Sequence, residues 1–322
     1  MPSSRLHTKP QYQLSAIPRN PLGEGNYIRT AAALIIGDEV LNGKTLDQNS
    51  HTFAKYCFEQ GVELRRIEVI ADDEQEIAEA SRRMVQNYDF VITTGGIGPT
   101  HDDITYASLA KSFGQSLGYH EETLRRMDEM NKSRDWVTSQ TASQKKSMQR
   151  MALFPDQAEV LFVSESIWVP VIRLEGKLCV FPGIPKLFQT MLSALTPFLP
   201  LPPPSERPQR IQIFTSRPES LIAPYLTTLQ DTLKDQGVSV GSYPVLGKGV
   251  FVSLIGRPEA SRTVNLDDIA HQVAENLDGE LVHDAHVAEK KNGAYESEGT
   301  NFSVEERSTT AGRKVEKVVN KL

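Results

Sequence analysis

The sequence predicts an α/β protein in which a sheet carries helices on both faces and a small α+β domain follows. Three observations predict it. Between Thr30 and Leu199, short apolar runs alternate with helical hydrophobic periods in the order strand, helix, strand, helix, strand. The run LPPPSERP, ending at Pro208, can neither continue a helix nor accept a central strand ladder. Beyond it the pattern changes to strands and helices that suit a small antiparallel sheet.

Composition sets the outer limits. With 322 residues, 39% hydrophobic and 24% charged, the chain has enough apolar material for one large or two modest domains. A net charge of -6, with acids and bases interspersed, argues against a nucleic-acid partner. The apolar stretch from Thr30 to Ile36 is stopped by Gly37 and Asp38, far short of the ~18 residues that span a bilayer, so no membrane segment is expected. Cys57 and Cys179 both lie in apolar patterns and read as reduced core thiols.

In chain order, residues 1–28 carry Arg5, Lys9 and Arg19 but are interrupted by Pro10, Pro18 and Pro21, so a disordered leader is expected. Cytoplasm is the default location, with a mitochondrial address as the alternative that the basic N-terminus suggests. The main domain is placed at residues 29–200. Its first strands are Ala31 to Ile36, Glu63 to Ile70 and Phe90 to Thr94. The helix between the first two puts Phe53, Cys57 and Phe58 on one face, and the next puts Ile77, Ser81, Met84 and Val85 together. A linker at 201–208 leads to a small domain at 209–283, with strands at Arg210 to Thr215, Val238 to Tyr243 and Val250 to Ile255. Helices Glu219 to Gln236 and Leu266 to Asn276 complete it, and residues 284–322 read as a disordered polar tail.

Parallel βαβ crossovers gather the carboxyl ends of their strands at one edge, where open α/β sheets bind ligands. Three acidic segments fall there: GDEVLNGKTLDQN, ADDEQE and TGGIGPTHDD. Gly95, Gly96 and Gly98 let backbone amides turn toward an anion, which makes a phosphate concavity. Asp102 and Asp103 stand beside it, and two carboxylates near a phosphate call for a divalent cation or a donor-rich ring or ribose. Asp38 and Glu39 follow the first strand, and Asp47 and Asn49 open the next helix. Asp72 offers a further oxygen, whereas Asp73 suits the cap of the helix beginning at Glu74. His101 is a candidate acid or donor inside the loop; His283 and His286 lack a third ligand at useful spacing.

The consecutive segments IIGDEVLNGKTLDQNS, VIADDEQEI and VITTGGIGPTHDDIT resemble the MoaB/Mog-type molybdopterin-binding family in its CinA-like branch, also found at the N-terminus of eukaryotic FAD synthases. The similarity resumes at QRMALFPDQAEVL and LCVFPGIPKLFQTML and extends over roughly Ala31 to Val282. It implies a three-layer MoaB/Mog-like sheet and a first site loop of Gly37, Asp38, Glu39, Gly43, Asp47 and Asn49. It further implies that Asp72 and Asp103 form an acidic pair facing pterin or nucleotide, and that Gly95, Gly96, Gly98, Pro99 and Thr100 form the phosphate loop. Gly183 and Pro185 would complete the rim, with Lys186 beside them. FVSESIWVPVIRLEG departs from the branch, because Trp168 and Val169 stand where a flexible turn is usual in a segment that helps close the ligand cleft.

The expected function is hydrolysis of the pyrophosphate of an adenine dinucleotide, FAD or ADP-ribose, to give AMP, with magnesium, manganese or cobalt. Asp38, Glu39 and Asp103 would be catalytic, and Asp38, Glu39, Asp102 and Asp103 would hold the metal. The alternatives are a molybdopterin-binding module and a non-catalytic nucleotide-binding scaffold. Nothing after Val282 resembles the CinA amidase, and nothing resembles the adenylyltransferase domain of FAD synthase, so neither deamidation nor FAD synthesis is expected. The resemblance also suggests a homodimer.

Overall fold

A computed structural model of the chain describes residues 11–132, 139–257 and 264–282. The histidines at 283 and 286 and the polar tail at 284–322 lie outside the described residues. Strand Thr30–Ile36 (β1) is apolar after its first residue, and successive side chains leave on opposite faces, so both faces need cover. Ala31, Ala33 and Ile35 enter one core, and Ala32, Leu34 and Ile36 enter another.

The chain continues through the short helix Asp38–Leu41 (α1), helix Asn49–Glu59 (α2), strand Glu63–Ile70 (β2), helix Glu74–Asn87 (α3) and strand Phe90–Thr94 (β3). Next come helix Thr105–Ser112 (α4), strand Leu117–Tyr119 (β4), and helices Glu121–Asn131 (α5) and Ala142–Gln149 (α6). Strands Leu153–Pro155 (β5), Glu159–Leu161 (β6), Val171–Leu174 (β7) and Leu178–Phe181 (β8) follow, then helix Pro185–Leu195 (α7). Phe53 and Cys57 of α2 pack with Phe188 and Met191 of α7 on one face, while Ile77, Met84, Tyr106 and Leu109 of α3 and α4 cover the other. The result is a three-layer α/β unit.

Six strands form the sheet in the order β2-β1-β3-β8-β7-β6. The first four run parallel, and β7 and β6 are antiparallel additions, so the sheet is mixed rather than purely parallel. The three residues Glu175 to Lys177 make the reversal, with Glu175 and Gly176 both at positive φ, 51° and 67°. Such a turn matches strand twist and allows an antiparallel hairpin where a helical crossover would have kept the direction.

The leader is the clearest departure from expectation. Its described part, from residue 11 onward, is anchored to the rest of the unit although most of its side chains are exposed: Tyr12 is 4% exposed and its amide donates to the Glu165 carbonyl at 2.8 Å. Ser15 N donates to Phe162 O at 2.9 Å, and Arg126 donates to Gln13 O at 2.8 Å. The Arg126 guanidinium lies 3.5 Å from the Phe162 ring centroid and 5.1 Å from that of Tyr12. Proline spacing excluded a helix but not an extended segment whose backbone is satisfied by another part of the chain.

By internal contacts the chain divides into units 1–208 and 209–322. Within the first, Glu206 of the proline-rich stretch pairs with Arg29 at 2.6 Å. The second unit contains strand Gln209–Thr215 (β9), helix Glu219–Leu233 (α8), strands Val238–Val245 (β10) and Gly249–Gly256 (β11), helix Leu266–Asn276 (α9) and strand Glu280–Val282 (β12). Its sheet, ordered β10-β11-β9-β12, is antiparallel throughout. Ile222 and Leu226 of α8 and Ala270 and Val273 of α9 close over Ile213, Val252 and Leu254. The helix expected to reach Gln236 ends at Leu233, and Lys234–Gln236 form a 3-10 turn that Gly237 ends at φ 77°. No helix among the described residues is long and apolar enough to cross a membrane.

Candidate functional site

The carboxyl ends of β1, β2 and β3 meet at one edge of the sheet. Gly37 N donates to Ile70 O at 3.1 Å, and Asp38 N donates to Asp72 Oδ2 at 3.1 Å, which ties the first two ends together. Gly95 joins the third: its φ is +110°, and a Cβ there would stand 2.0 Å from Ile36 O. Only glycine permits that approach. Beside it opens a cleft of ≈ 570 Å³, lined by the Gly95–Pro99 run, Glu39, Asp103 and Tyr106 and by Met151, Trp168, Val169, Gly183, Ile184 and Leu187.

The glycine loop is braced from within. Asp103 Oδ1 accepts from Gly98 N at 2.6 Å, and Asp103 Oδ2 accepts from Thr100 N at 2.8 Å and from the Thr100 hydroxyl. Two amides expected to face a phosphate are therefore directed onto the loop's own carboxylate, and Asp103 becomes a loop brace rather than an open metal or proton site. Arg150 supports the same loop through its backbone, donating to Thr100 O and Asp103 O, each at 3.1 Å.

The acids after β1 and β2 behave differently. Asp38 and Glu39 are exposed, as is Asp102. Burial, and then the negative charges of Asp38, Glu39 and Asp102, push the Asp72 carboxyl up from its ordinary range, against the hydrogen bond from the Asp38 amide. Among the described residues, no three His, Cys, Asp or Glu side chains are gathered to hold a metal ion. Asp103 faces its own loop, Asp38 and Glu39 are exposed, and the Thr100 side chain beside Asp102 holds the Asp102 carboxyl below its ordinary value.

The remaining site residues divide between supports and lining. Asp47 Oδ1 accepts from Asn49 N at 2.9 Å and Ser50 N at 3.1 Å, which starts α2 in the manner of a helix cap. Asn49, 5% exposed, donates to Thr94 Oγ1 and to Gly183 O, each at 2.9 Å, and so joins the end of β3 to the turn before α7. Its Oδ1 is buried without a hydrogen-bond partner among the described residues. Gly43 turns the chain after α1 at φ 76° and is not among the cleft residues. Gly183 lines the cleft, Pro185 opens α7 at a position that needs no amide, and Lys186 is exposed. Asp73 caps α3, accepting from Gln75 N at 2.9 Å and Glu76 N at 3.0 Å. His101 is exposed on the α6 side of the loop.

Sequence reasoning assigned no role to Tyr106, Met151, Ile184 or Leu187. Met151 and Ile184 sit inside two of the family-like segments, QRMALFPDQAEVL and LCVFPGIPKLFQTML, and that position was the available signal. Trp168 and Val169 form a cleft wall, so the unusual segment falls where ligand contact is decided.

Comparison with known proteins identifies the family. Residues 32–201 match the family described as "Probable molybdopterin binding domain". The chain is similar to the "Probable FAD synthase" of Caenorhabditis elegans, with 30% identity over 80% of this chain and 52% of the relative. It is 31% identical to a protein of Pyrococcus horikoshii over 70% of this chain and 88% of that one. A "CinA-like protein" of Geobacter metallireducens is 30% identical over 78% of this chain and 60% of its own length. The chain thus spans about half of the FAD synthase relative. Because the matched residues, 32–201, contain the three strand-end loops and the whole cleft, the chain belongs to the molybdopterin-binding domain family, in the branch of its CinA-like relatives.

Proposed function

We propose that the cleft binds a phosphorylated heterocycle and hydrolyses the pyrophosphate of an adenine dinucleotide, FAD or ADP-ribose, to release AMP. The observation that carries this reading is a cleft walled by Trp168 and the glycine loop and lined also by Glu39, with the carboxylates of Asp38, Asp72 and Asp102 close to one another nearby. Trp168 offers a flat apolar face to a ring. Burial pushes the Asp72 carboxyl up from its ordinary value, which makes it a better proton acceptor than a solvated carboxylate. In the step, a water oxygen attacks one phosphorus and the bond to the bridging oxygen breaks, while the water proton passes to Asp72. A divalent ion, magnesium, manganese or cobalt, arriving with the substrate would neutralise phosphate charge, with Asp38, Glu39 and Asp102 as its protein oxygens. Magnesium in particular is commonly held by one or two carboxylates plus substrate phosphates, which requires no preformed cage.

The test is AMP release from FAD, ADP-ribose and NAD with each metal. Hydrolysis by the wild type that falls about 100-fold in Asp72→Asn supports the reading. No AMP from any dinucleotide with any of the metals overturns it. A second reading draws on the family match over residues 32–201: the cleft serves as a molybdopterin-binding module. A fluorescent pterin retained by the wild type and lost from Trp168→Ala, without phosphate release from dinucleotides, decides for that reading.

A further inference from the structure

Residues 11–15 are bonded to the connection between β6 and β7, residues 162–170, and that connection carries Trp168 and Val169 of the cleft wall. Neither helix nor strand forms over 162–170, so its backbone groups need partners from another part of the chain. Residues 11–15 supply them along the stretch that leads to the wall. Ser15 N donates to Phe162 O at 2.9 Å, and Ser15 Oγ accepts from Phe162 N at 2.9 Å. Three residues on, Tyr12 N donates to Glu165 O at 2.8 Å and Gln11 Nε2 donates to Glu165 Oε2 at 2.8 Å. None of residues 11–15 lines the cleft. We infer that this segment is a positioning element for Trp168, which sets the cleft wall through residues 162–165 without itself touching a ligand. The inference rests on the Trp168 cleft being the ligand site.

Two anchors hold the stretch around Trp168. After Glu165, Ile167 and Val169 pack against the core on the α2 and α7 face of the sheet. Before it, the connection depends on Arg126 of α5, whose guanidinium lies against the Phe162 ring and also donates to Gln13 O. Tyr12 closes the same cluster, its hydroxyl donating to Arg126 O at 3.2 Å. Arg126 is 3% exposed, and its Nη1 has no hydrogen-bond partner among the described residues. Release of residues 11–15 would therefore take Gln13 O from a buried cation that keeps Glu122 Oε1, 2.6 Å from its Nε, as acceptor. That cost ties the segment to the Phe162 end of the connection, although Gln11, Gln13 and Leu14 are exposed. An element held by a few hydrogen bonds and one buried ring opens at lower free energy than the sheet, so its contribution can be separated from that of the fold. If residues 11–15 served only as cover, their loss would lower stability and leave Trp168 unchanged.

Trp136 and Trp168 are the only tryptophans of the chain, so Trp136→Phe leaves Trp168 as the reporter. Acrylamide quenching of its fluorescence in the full chain needs no ligand. Ser15→Pro removes both bonds to Phe162, Tyr12→Ala removes the buried ring and its hydroxyl, and Ser15→Thr keeps the hydroxyl. Well below each thermal midpoint, the quenching constant is expected to rise about twofold in Ser15→Pro, less in Tyr12→Ala, and to stay at its starting value in Ser15→Thr. In Ser15→Pro, KM for FAD should rise about three- to tenfold while kcat stays within about twofold. Should Ser15→Pro fail to fold, Ser15→Ala, which removes the hydroxyl alone, carries the same two measurements. Unchanged quenching in the folded Ser15 and Tyr12 variants overturns the inference, as does an unchanged KM where FAD is hydrolysed. Raised quenching in a protein that hydrolyses no dinucleotide leaves the positioning role standing and removes the hydrolytic reading. Hydrolysis of FAD with quenching and KM both unchanged in the variants leaves the reaction standing and removes the positioning role.

Discussion

The loop after β3 folds its carboxylate inward, where Asp103 accepts from Gly98 N, Thr100 N and the Thr100 hydroxyl. The loops after β1 and β2 leave theirs facing one another, so that Asp72 is set among the charges of Asp38, Glu39 and Asp102. Both regions are glycine- and aspartate-rich strand ends on the same edge of one sheet. The difference lies in donors: the β3 loop surrounds its acid with N–H and O–H groups, whereas Asp72 receives, among the described residues, the Asp38 amide at 3.1 Å. A carboxylate supplied with donors becomes a brace, and one deprived of them becomes a charged group in search of a proton or a cation.

The largest expected effect comes from the residue that holds the two regions together. Gly95→Ala would drive a Cβ against Ile36 O, 2.0 Å away. A loss of about 2–4 kcal/mol is expected in denaturant unfolding. A near-wild-type midpoint would show that the strand ends can separate cheaply. Next, Asp103→Ala should cost about 1–3 kcal/mol by orphaning two loop amides, with faster hydrogen exchange at Gly98 and Thr100. Asp103→Asn, which keeps one acceptor oxygen, should lie between. Lost AMP release with unchanged stability and exchange would instead return Asp103 to a catalytic role.

Asp72→Asn carries the opposite sign. Removing a partly buried charge from among like charges should raise the thermal midpoint at pH 7 while AMP release is lost. A lowered midpoint would mean that the carboxylate is better supported than the Asp38 amide alone would make it. The smallest effect lies away from the cleft, at His120, where burial is the main cause of a depressed imidazole pKa. The folded state disfavours the imidazolium, so the unfolded state takes up its proton first. Stability should therefore be lost as pH falls below the unfolded histidine value of ~6.5. Across pH 7 to 5, His120→Gln should show a smaller fall in thermal midpoint than the wild type.

Much of the scaffold was legible in the residues themselves. The strand candidates at Glu63–Ile70 and Phe90–Thr94 coincide with β2 and β3, because hydrophobic period and neighbouring turn residues are local properties. The cap at Asp73 was legible for the same reason. The cleft was legible only in part. Glycines and acids at strand ends announced the loop after β3, yet Tyr106, Met151 and Leu187 look like ordinary core residues until the chain folds.

By itself, then, the sequence determined the first three strands of the main domain, the two helices between them, and which edge of the sheet gathers the acidic loops. Tertiary structure decided what each acid does there. It gave Asp103 its donors, withheld them from Asp72, and laid Tyr12 and Ser15 along the backbone at Glu165 and Phe162. The physical reason is that periodicity and capping depend on neighbours within about one helical turn. Hydrogen-bond partners and local charge depend on groups that only folding brings within about 3 Å.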